Sequence, residues 1–335
     1  MKTIKVKFIG FWAGFLDDDN FIINILKKYY DVQLSDEPDY LFYSAFLPQN
    51  FDFAEYDCVR IFYSGENASP DFNYCDYAIS FDNITYNDRY IRLPLFLLYD
   101  QLPDAENKHI GITEETLAQK EEFANFVVGN SLGMQERTDI FNLLNSYKKV
   151  ASVGTYLNNT GYHADSIDKK LAFQNKCRFS ITFESVSQPG FVTEKIMHGF
   201  AAKTVPIYLG DCDIDEIFNE KAFINGHKFD SLEAIVERVK EIEENPQLWL
   251  EMVSTPCFND PDYSKKKMAE LDSFLRNIVD QPLEKAFRRP LKFHAERYKE
   301  DLKEYVQLKR TVRFQRFLKA KDKKITGIFL RIFGK

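Results

Sequence analysis

The sequence predicts an α/β protein made of two successive Rossmann-like domains that face each other across a cleft. Strand-like and helix-like segments alternate along most of the chain, and a polar, Pro-containing stretch near residue 105 interrupts this alternation once. The 335 residues, 44% of them hydrophobic, suffice for two ordinary cores. We expect domains over residues 1–105 and 106–265, then a helical segment over 266–310 that returns to the first domain, and a tail over 311–335.

The first half begins with KTIKVKFIG, whose apolar period of two predicts a strand. NFIINILKKYY follows as a predicted helix, with Asn20 placed to cap it. The apolar runs DYLFYSAF, DCVRIFYS and DYAISF each begin with Asp and recur about every 20 residues. Short strands separated in this way indicate βαβ units and a mostly parallel sheet.

The second half resumes the alternation after LYDQLPDAENKH. FANFVVGN, VASVG, CRFSITFES and KTVPIYLGD are typical of strands. Helices are predicted over RTDIFNLLNSYKK, SIDKKLAFQNK, TEKIMHGFAAK and SLEAIVERVKEIEEN, the last ending before Pro246. Ligands of such sheets bind at the carboxyl ends of the strands. The chain has no G-x-G-x-x-G after its first strand and no P-loop motif, which disfavours a dehydrogenase or a P-loop NTPase.

Composition argues against several other classes of protein. No run of about 18 apolar residues predicts a membrane-spanning helix. The N-terminus has neither the long apolar stretch nor the cleavage site of a signal peptide. The five cysteines are scattered without a CxxC pair, which fits reduced thiols better than a disulfide framework or a zinc site. We therefore expect a cytoplasmic protein.

The segment FESVSQPGFVTEKIMHGFAAKTVPIYLGD, residues 183–211, is the strongest candidate for binding chemistry. It predicts a strand, a Gly-containing loop, a helix and a second strand. Thr193 can cap the helix, which places Glu194 and Lys195 in its first turn. The free N–H groups and positive dipole end there suit a phosphate, and Lys195 adds a full charge. A solvated Glu–Lys pair on an ordinary helix explains the same pattern equally well.

This segment closely resembles the donor-binding signature of the α1,3/α1,4-fucosyltransferases, glycosyltransferase family ten. The family's F-E-N, V-T-E-K-I and I-P-I-Y-x-G stand here as FES, VTEKI and VPIYLG. SGEN, DYAISFD and NDRYIRLPLF are similar to the family's N-terminal pattern. The likeness spans about residues 5–265 and is greatest to bacterial enzymes such as those of Helicobacter. It implies the GT-B architecture, with the acceptor held mainly by the first domain and GDP-fucose by the second.

The resemblance also implies roles for individual residues. Glu66, in a Gly-Glu-Asn turn, falls on the family's proposed general base, because inverting transfer needs one carboxylate to take the acceptor's proton. Arg137 and Lys195 fall on residues that hold the pyrophosphate, which gains negative charge as the sugar bond breaks. Without the resemblance, a hydrated turn carboxylate and a helix-surface arginine are the commoner interpretations. The other donor-site candidates are Glu194, Thr193, Phe191, Asn130 and Glu184.

Three positions depart from the family pattern. Ser185 replaces the Asn of F-E-N, Phe191 stands where Tyr is common, and Gly129 stands where Ser is usual. Ser185 cannot make a donor contact that needs an amide. At Phe191, stacking on the nucleotide can survive the change but a hydroxyl contact cannot.

The acceptor-site candidates are Trp12, Phe11 and Asn67 in the first domain. Aromatic faces suit the C–H faces of sugars, although core packing explains the two aromatic residues equally well.

Two acidic runs, 17–19 and 211–213, resemble the DxD pairs that hold Mn²⁺ beside a diphosphate in other transferases. In the family that this sequence resembles, variable residues occupy the position of 211–213, and the run 17–19 is typical of a solvated loop. We therefore expect no metal at the site and no required cofactor, with GDP-fucose serving as the donor substrate.

The net charge of −7 conceals an asymmetry, because residues 285–335 carry 17 Lys or Arg against 5 Asp or Glu. From Phe314 onward the apolar residues follow one helical stripe, within which Thr326-Gly327 is a candidate break. A basic amphipathic helix that lies on an anionic membrane has this composition. We expect a peripheral protein on the inner face of the bacterial cytoplasmic membrane, with no nucleic-acid partner. A helix packed on the body is the alternative. The stripe consists of Phe314, Phe317, Leu318, Ile325, Ile328, Phe329 and Ile332.

The resemblance implies an inverting glycosyltransferase. It would move L-fucose from GDP-fucose to a GlcNAc hydroxyl of an N-acetyllactosamine-type oligosaccharide, giving an α1,3-linked, Lewis x-like product, with Glu66 as base. One alternative is a GT-B transferase that uses another nucleotide sugar, since no residue by itself specifies guanine or fucose. The other is a catalytically silent glycan-binding protein anchored by its tail, for which Glu66, Arg137 or Lys195 would be expected to be lost.

Overall fold

The computed structural model of the protein describes residues 1–46, 52–289 and 295–333, and it describes no side chains at 295–296 or from 320 onward. It contains two fully parallel sheets flanked by helices. The predicted α/β architecture with two Rossmann-like halves is therefore confirmed.

The first half is a six-stranded parallel sheet in the order β2-β1-β3-β4-β5-β6. The predicted apolar runs form β3, β4 and β5, whose residues are all buried because both faces of the sheet are covered. The side chain of Asn20 accepts hydrogen bonds from two N–H groups of the first turn of α1, so the predicted cap is confirmed. The elements are β1 (Thr3–Ile9), α1 (Phe21–Leu26), β2 (Asp31–Leu34), β3 (Tyr40–Tyr43), β4 (Val59–Tyr63), β5 (Tyr77–Ser80) and β6 (Tyr90–Arg92).

The chain then crosses to the second half through short helices. A 3-10 helix at Leu95–Leu98 is followed by α2 (Leu102–Glu106) and α3 (Glu114–Ala118).

The second half is a five-stranded parallel sheet in the order β11-β10-β9-β7-β8. The predicted strands and helices of this half are all present, and Pro246 starts a new helix after α7 has ended. The elements are β7 (Glu122–Phe126), α4 (Glu136–Tyr147), β8 (Val150–Ser152), α5 (Ile167–Gln174), β9 (Cys177–Ile181), α6 (Glu194–Ala201), β10 (Val205–Tyr208), β11 (Ile224–Asn225), α7 (Leu232–Glu243) and α8 (Pro246–Ser254).

One apolar core joins the two halves. Helix α6 of the second half packs against α2 and against the 3-10 helix of the crossing. Phe96 of the crossing therefore belongs to the same buried cluster as Ile61 of β4 and Phe200 of α6. Because this core is continuous, the carboxyl ends of both sheets are held at a defined position around the cleft.

After the second half the chain returns to the first one. Helix α9 (Tyr263–Asp280) packs against α1, and it is followed by α10 (Leu283–Ala286) and α11 (Ala295–Phe333). Between α10 and α11, the N–H groups of Arg288 and Arg289 donate to buried Asp76, at 2.6 and 2.8 Å. These bonds and the ion pair of Arg289 with Asp76 attach the returning segment to the first sheet.

Helix α11 combines a buried start with an exposed continuation. Leu302 and Val306 pack in the cluster of Tyr43 and Phe53, whereas Phe314 is 61% exposed. The helix runs through Thr326-Gly327, so the candidate break there was wrong. The side chains of the predicted stripe from Ile325 onward lie outside the described part. Within the described chain, no helix combines the length and the apolarity needed to cross a bilayer.

Candidate active site in the cleft

The candidate site lies where strands of both sheets end. β4 leads into the turn that carries Glu66, and β9 leads directly to Glu184. Because the sheets are parallel, such carboxyl ends gather the side chains that can meet a ligand. The residues of the site thus come from both halves of the chain.

The loop before α6 lies against the first half and closes one side of the cleft. Gly190 has φ of +86°, and a Cβ there would lie 2.4 Å from the carbonyl oxygen of Phe81, so only glycine fits. The next residue, Phe191, is buried with its ring edge against Phe81, at a centroid distance of 5.0 Å. Phe191, predicted to contact the donor, therefore packs between the halves.

Glu184 is the centre of the proposed donor side. Its carboxylate is fully buried and accepts from Thr193 N at 2.8 Å, from Thr193 Oγ1 at 2.7 Å and from Lys195 Nζ at 2.9 Å. Thr193 stands at the start of α6 as predicted, but its hydroxyl bonds to Glu184 and makes no cap hydrogen bond, so its predicted capping role was wrong. A buried carboxylate draws that hydroxyl away because charge-assisted hydrogen bonds are the stronger ones.

The first turn of α6 concentrates opposite charges. Burial alone would lower the pKa of Lys195, but Glu184 and Glu194 outweigh it and raise the pKa above its ordinary value. Burial would likewise raise the pKa of Glu194, but Lys195 and Lys170 outweigh it and lower the pKa to about 2. Lys170 Nζ, on α5, lies 3.9 Å from Glu194. Around the start of α6, Lys195 and Lys170 thus balance the charges of Glu184 and Glu194.

Arg137 and Asn130 flank a loop that lies beside Glu184. Met134 N donates to Ser185 O at 2.8 Å, which joins this loop to the end of β9. The Arg137 side chain is buried, and its Nη1 donates to Leu132 O at 3.0 Å. Within the described residues its buried Nε has no hydrogen-bond partner, which is unusual for a guanidinium. Asn130 is exposed, and its side chain accepts from Leu132 N.

Glu66 lies on the first half, at a cavity of about 550 Å³. Ser64 Oγ accepts from Glu66 N at 3.1 Å and donates to Glu66 O at 2.9 Å, which holds the turn and leaves the carboxylate exposed. The lining is mostly apolar and aromatic. It consists of Trp12, Gly14, Phe15, Leu16, Asp19, Asn20, Phe21, Phe46, Tyr63, Gly65, Glu66, Leu95, Leu98 and Tyr99.

The three predicted acceptor residues occupy different positions. Trp12 lines the cavity and is 40% exposed, which suits stacking against a sugar. Phe11 is half-buried and stacks on Phe15 and on Tyr63, at centroid distances of 4.1 and 5.7 Å. Asn67 is exposed, and the structure does not bring it or Phe11 into the lining of this cavity.

Sequence reasoning missed Tyr99 and Lys170, and it left His198 without a role. Tyr99 lines the cavity of Glu66, and its ring meets the ring of His198 edge-on at 5.5 Å. His198 is buried, and burial together with Lys170 lowers its pKa to about 3. A single Tyr after an apolar run and a Lys in an ordinary helix carry no local signal, so only the tertiary structure identifies them.

Asp211, Cys212 and Asp213 form the one metal-type cluster within the described residues. Both oxygens of buried Asp211 already have partners. One accepts from Gly190 N at 2.8 Å and from Asp213 N at 3.1 Å, and the other pairs with Arg92 at 3.2 Å. This arrangement fits a link between the two halves of the chain better than a divalent-metal site, which would need free carboxylate oxygens.

Comparisons with known families agree with this division of the chain. Residues 6–99 match the family described as alpha-(1,3)-fucosyltransferase FucT N-terminal domain. Residues 117–254 match glycosyltransferase family 10 (fucosyltransferase) C-term. The two matches together include Glu66 and every donor-side residue described above.

Individual relatives extend this likeness. An alpha-(1,3)-fucosyltransferase FucT of Helicobacter pylori is 29% identical over 258 residues, which are 66% of this chain and 53% of that protein. The chain thus matches only about half the length of this relative. A putative fucosyltransferase of Acanthamoeba polyphaga mimivirus is 28% identical over 139 residues, 39% of this chain and 23% of that protein.

Solved structures show the same architecture. A crystal structure of an alpha1,3-fucosyltransferase with GDP-fucose has a TM-score of 0.66 and 26% identity, covering 84% of this chain and 93% of that one. Anabaena Alr3699/HepE in complex with UDP-glucose shares the fold alone, with a TM-score of 0.51, 8% identity and coverage of 84% and 99%. The fold is therefore of the GT-B type. From the two family matches, which together span most of the described chain, we conclude that this chain belongs to glycosyltransferase family 10.

Proposed function

We propose that this protein is an inverting α1,3-fucosyltransferase, which transfers L-fucose from GDP-fucose to a GlcNAc hydroxyl of an N-acetyllactosamine-type glycan. The observation that carries the proposal is the position of an exposed carboxylate, Glu66, at an aromatic cavity of the first half, together with Lys195, which Glu184 holds at the start of α6. Membership of family 10 and the likeness to a structure with GDP-fucose support the choice of donor.

In the proposed reaction Glu66 accepts the proton of the acceptor hydroxyl as that oxygen attacks the anomeric carbon of fucose. The new glycosidic bond forms while the bond from the anomeric carbon to the GDP oxygen breaks, so the configuration inverts. Negative charge grows on the leaving diphosphate. Lys195 and Arg137 stabilise this charge in our proposal, and Glu184 holds Lys195 in place before the donor arrives.

Trp12 is proposed to stack on the acceptor, because it is the exposed aromatic ring of the cavity. Glu194 and Asn130 are proposed to meet the donor, Glu194 through the hydroxyls of its sugar. Phe191 is the remaining donor candidate, and its ring packs against Phe81. The proposal requires no metal ion.

The tail is proposed to bind an anionic membrane surface, on the inner face of the bacterial cytoplasmic membrane. Phe314, Phe317 and Leu318 are each about half exposed or more on α11, with Arg316 between them and Arg313 and Lys319 on either side. Apolar burial and attraction to anionic lipid then act together.

The experiment that tests the function is a transfer assay with Glu66→Gln. We expect the variant to bind GDP as the wild type does and to lose transfer by about 10² or more, the usual scale for a general base. Glu37→Gln, at an exposed carboxylate on the surface of the same half, is the matched control and should keep full activity. Near-normal turnover of Glu66→Gln would exclude Glu66 as the base.

The same assay separates the alternative functions. A panel of nucleotide sugars, assayed for transfer and for hydrolysis, decides whether GDP-fucose is the donor. Binding of the glycan without turnover of any donor would instead indicate a catalytically silent glycan-binding protein.

A further inference from the structure

Tyr99 stands where the two sides of the cleft meet. It follows the 3-10 helix Leu95–Leu98, at the crossing between the two halves of the chain. It lines the cavity that contains Glu66 and Trp12. On its other side, its ring lies edge-on to His198, which is one helical turn after Glu194 on α6. Tyr99 therefore adjoins both the acceptor cavity and the donor-side helix.

The hydroxyl of Tyr99 has hydrogen-bonding capacity to spare. Within the described residues no hydrogen bond involves this hydroxyl, although the side chain is half-buried. Burial, followed by the charges of Glu194 and Glu66, raises the pKa of Tyr99 above its ordinary value. The phenol therefore stays protonated across the neutral range and can act as a donor.

The second tyrosine of the cavity cannot serve in this way. The hydroxyl of Tyr63 is buried and has no partner in the described part of the chain, and a Cβ on Gly65 would lie 3.2 Å from it. The ring of Tyr63 is packed against Phe11 and Phe21, at centroid distances of 5.7 and 5.2 Å. Tyr63 thus builds the wall of the cavity, which leaves Tyr99 as the other tyrosine that lines it.

We propose that Tyr99 is an acceptor-binding residue whose hydroxyl donates a hydrogen bond to the sugar held beside Glu66. This inference rests on the proposed function. We assign the hydrogen bond of this hydroxyl to the acceptor sugar, and not to the donor, because Tyr99 shares a cavity with Glu66 and Trp12. On the α6 side, the ring of His198 covers the tyrosine, and Glu194 is engaged by Lys195 and Lys170. A hydrogen bond beside Glu66 would orient the attacking hydroxyl toward the carboxylate.

The test is Tyr99→Phe, which keeps the ring and its contact with His198 and removes only the hydroxyl. We expect kcat/KM for transfer to N-acetyllactosamine to fall about five- to tenfold, the usual effect of one lost hydrogen bond to a neutral group, with a raised KM for the acceptor. Hydrolysis of GDP-fucose by water and the Kd for GDP should stay within about twofold, because neither involves the acceptor sugar.

Tyr147→Phe is the matched control, since Tyr147 is an exposed tyrosine at the end of α4, outside the cleft. It should leave every parameter unchanged, and both variants should unfold at the temperature of the wild type. Transfer by Tyr99→Phe within twofold of wild type would overturn the inference. An equal fall in hydrolysis and transfer would also overturn it, because the hydroxyl would then contact the donor. A wild-type protein that turns over no GDP-fucose would overturn the proposed function together with this inference.

Discussion

Glu184→Gln tests the buried interaction that organises the donor side. The carboxylate of Glu184 is fully buried, and it is bonded to Thr193 and to Lys195. The substitution preserves shape and one acceptor oxygen but replaces the other oxygen by an NH2 group. Because an amide nitrogen cannot accept from an ammonium, the variant cannot keep both the Lys195 and the Thr193 interactions.

The expected loss follows from the bonds that remain. The Gln carbonyl can still accept from Thr193 N, and the Thr193 hydroxyl can rotate to accept from the new NH2. The charge-assisted bond of Lys195 is then lost, which costs about 1.5–3 kcal/mol. Lys195 keeps 21% of its side-chain surface exposed, so water recovers part of its hydration. We therefore expect the free energy of unfolding to fall by about 2 kcal/mol and Tm by roughly 3 °C.

Thermal and urea unfolding of the full chain measure this loss, and Glu37→Gln, at an exposed carboxylate outside any helix, is the matched control. A double-mutant cycle with Lys195→Met isolates the pair. Removing both partners should cost about 2 kcal/mol less than the sum of the single losses, because each single variant already removes the whole interaction between Glu184 and Lys195 and the sum counts it twice. Additive losses, or a Glu184→Gln protein as stable as wild type, would refute the reasoning.

Three further predictions concern metal, membrane and pH. Transfer activity should survive EDTA, because both carboxylate oxygens of Asp211 already have protein partners and are not free to bind a divalent metal. Loss of activity that Mn²⁺ restores would contradict this. Removing residues 312–335 should leave an active, folded protein, because Leu302 and Val306 are the α11 residues in the buried cluster among the side chains that the structure describes. It should abolish binding to anionic vesicles, to which each basic residue adds about 1 kcal/mol. Unfolding on truncation would instead indicate that the stripe packs on the body. Burial lowers the pKa of His198 to about 3 in the folded protein, whereas its ordinary value is 6.5. Below about pH 6.5 the unfolded chain therefore binds a proton that the folded protein does not. The stability that the neutral ring contributes is complete above that pH and is lost as the pH falls toward 3. Wild type should therefore lose about 2 kcal/mol more stability than His198→Leu between pH 7 and pH 5, and parallel pH profiles would count against a buried neutral ring.

Much of the fold could be predicted because its signals are local. Apolar runs of strand length marked β3, β4 and β5, and Asn20 marked the start of α1. Strand β2 was missed because it lies at the sheet edge and is mostly exposed, so DVQL shows neither a buried run nor a clear alternation. At Asp211 a local signal was misleading. The acidic pattern resembles a metal site, but it does not reveal that both carboxylate oxygens of Asp211 already bind Gly190, Asp213 and Arg92.

The sequence by itself determined the family, the two parallel α/β halves, and the placing of Thr193, Glu194 and Lys195 at one helix start, since each depends on residues close together in the chain. Only the tertiary structure decided that Thr193 and Lys195 are held by Glu184. It also decided that Tyr99 adjoins both sides of the cleft and that Arg92 pairs with Asp211, 119 residues away. Such contacts form when two sheets and a crossing helix pack into one core, and no short sequence pattern encodes the distances that this packing creates.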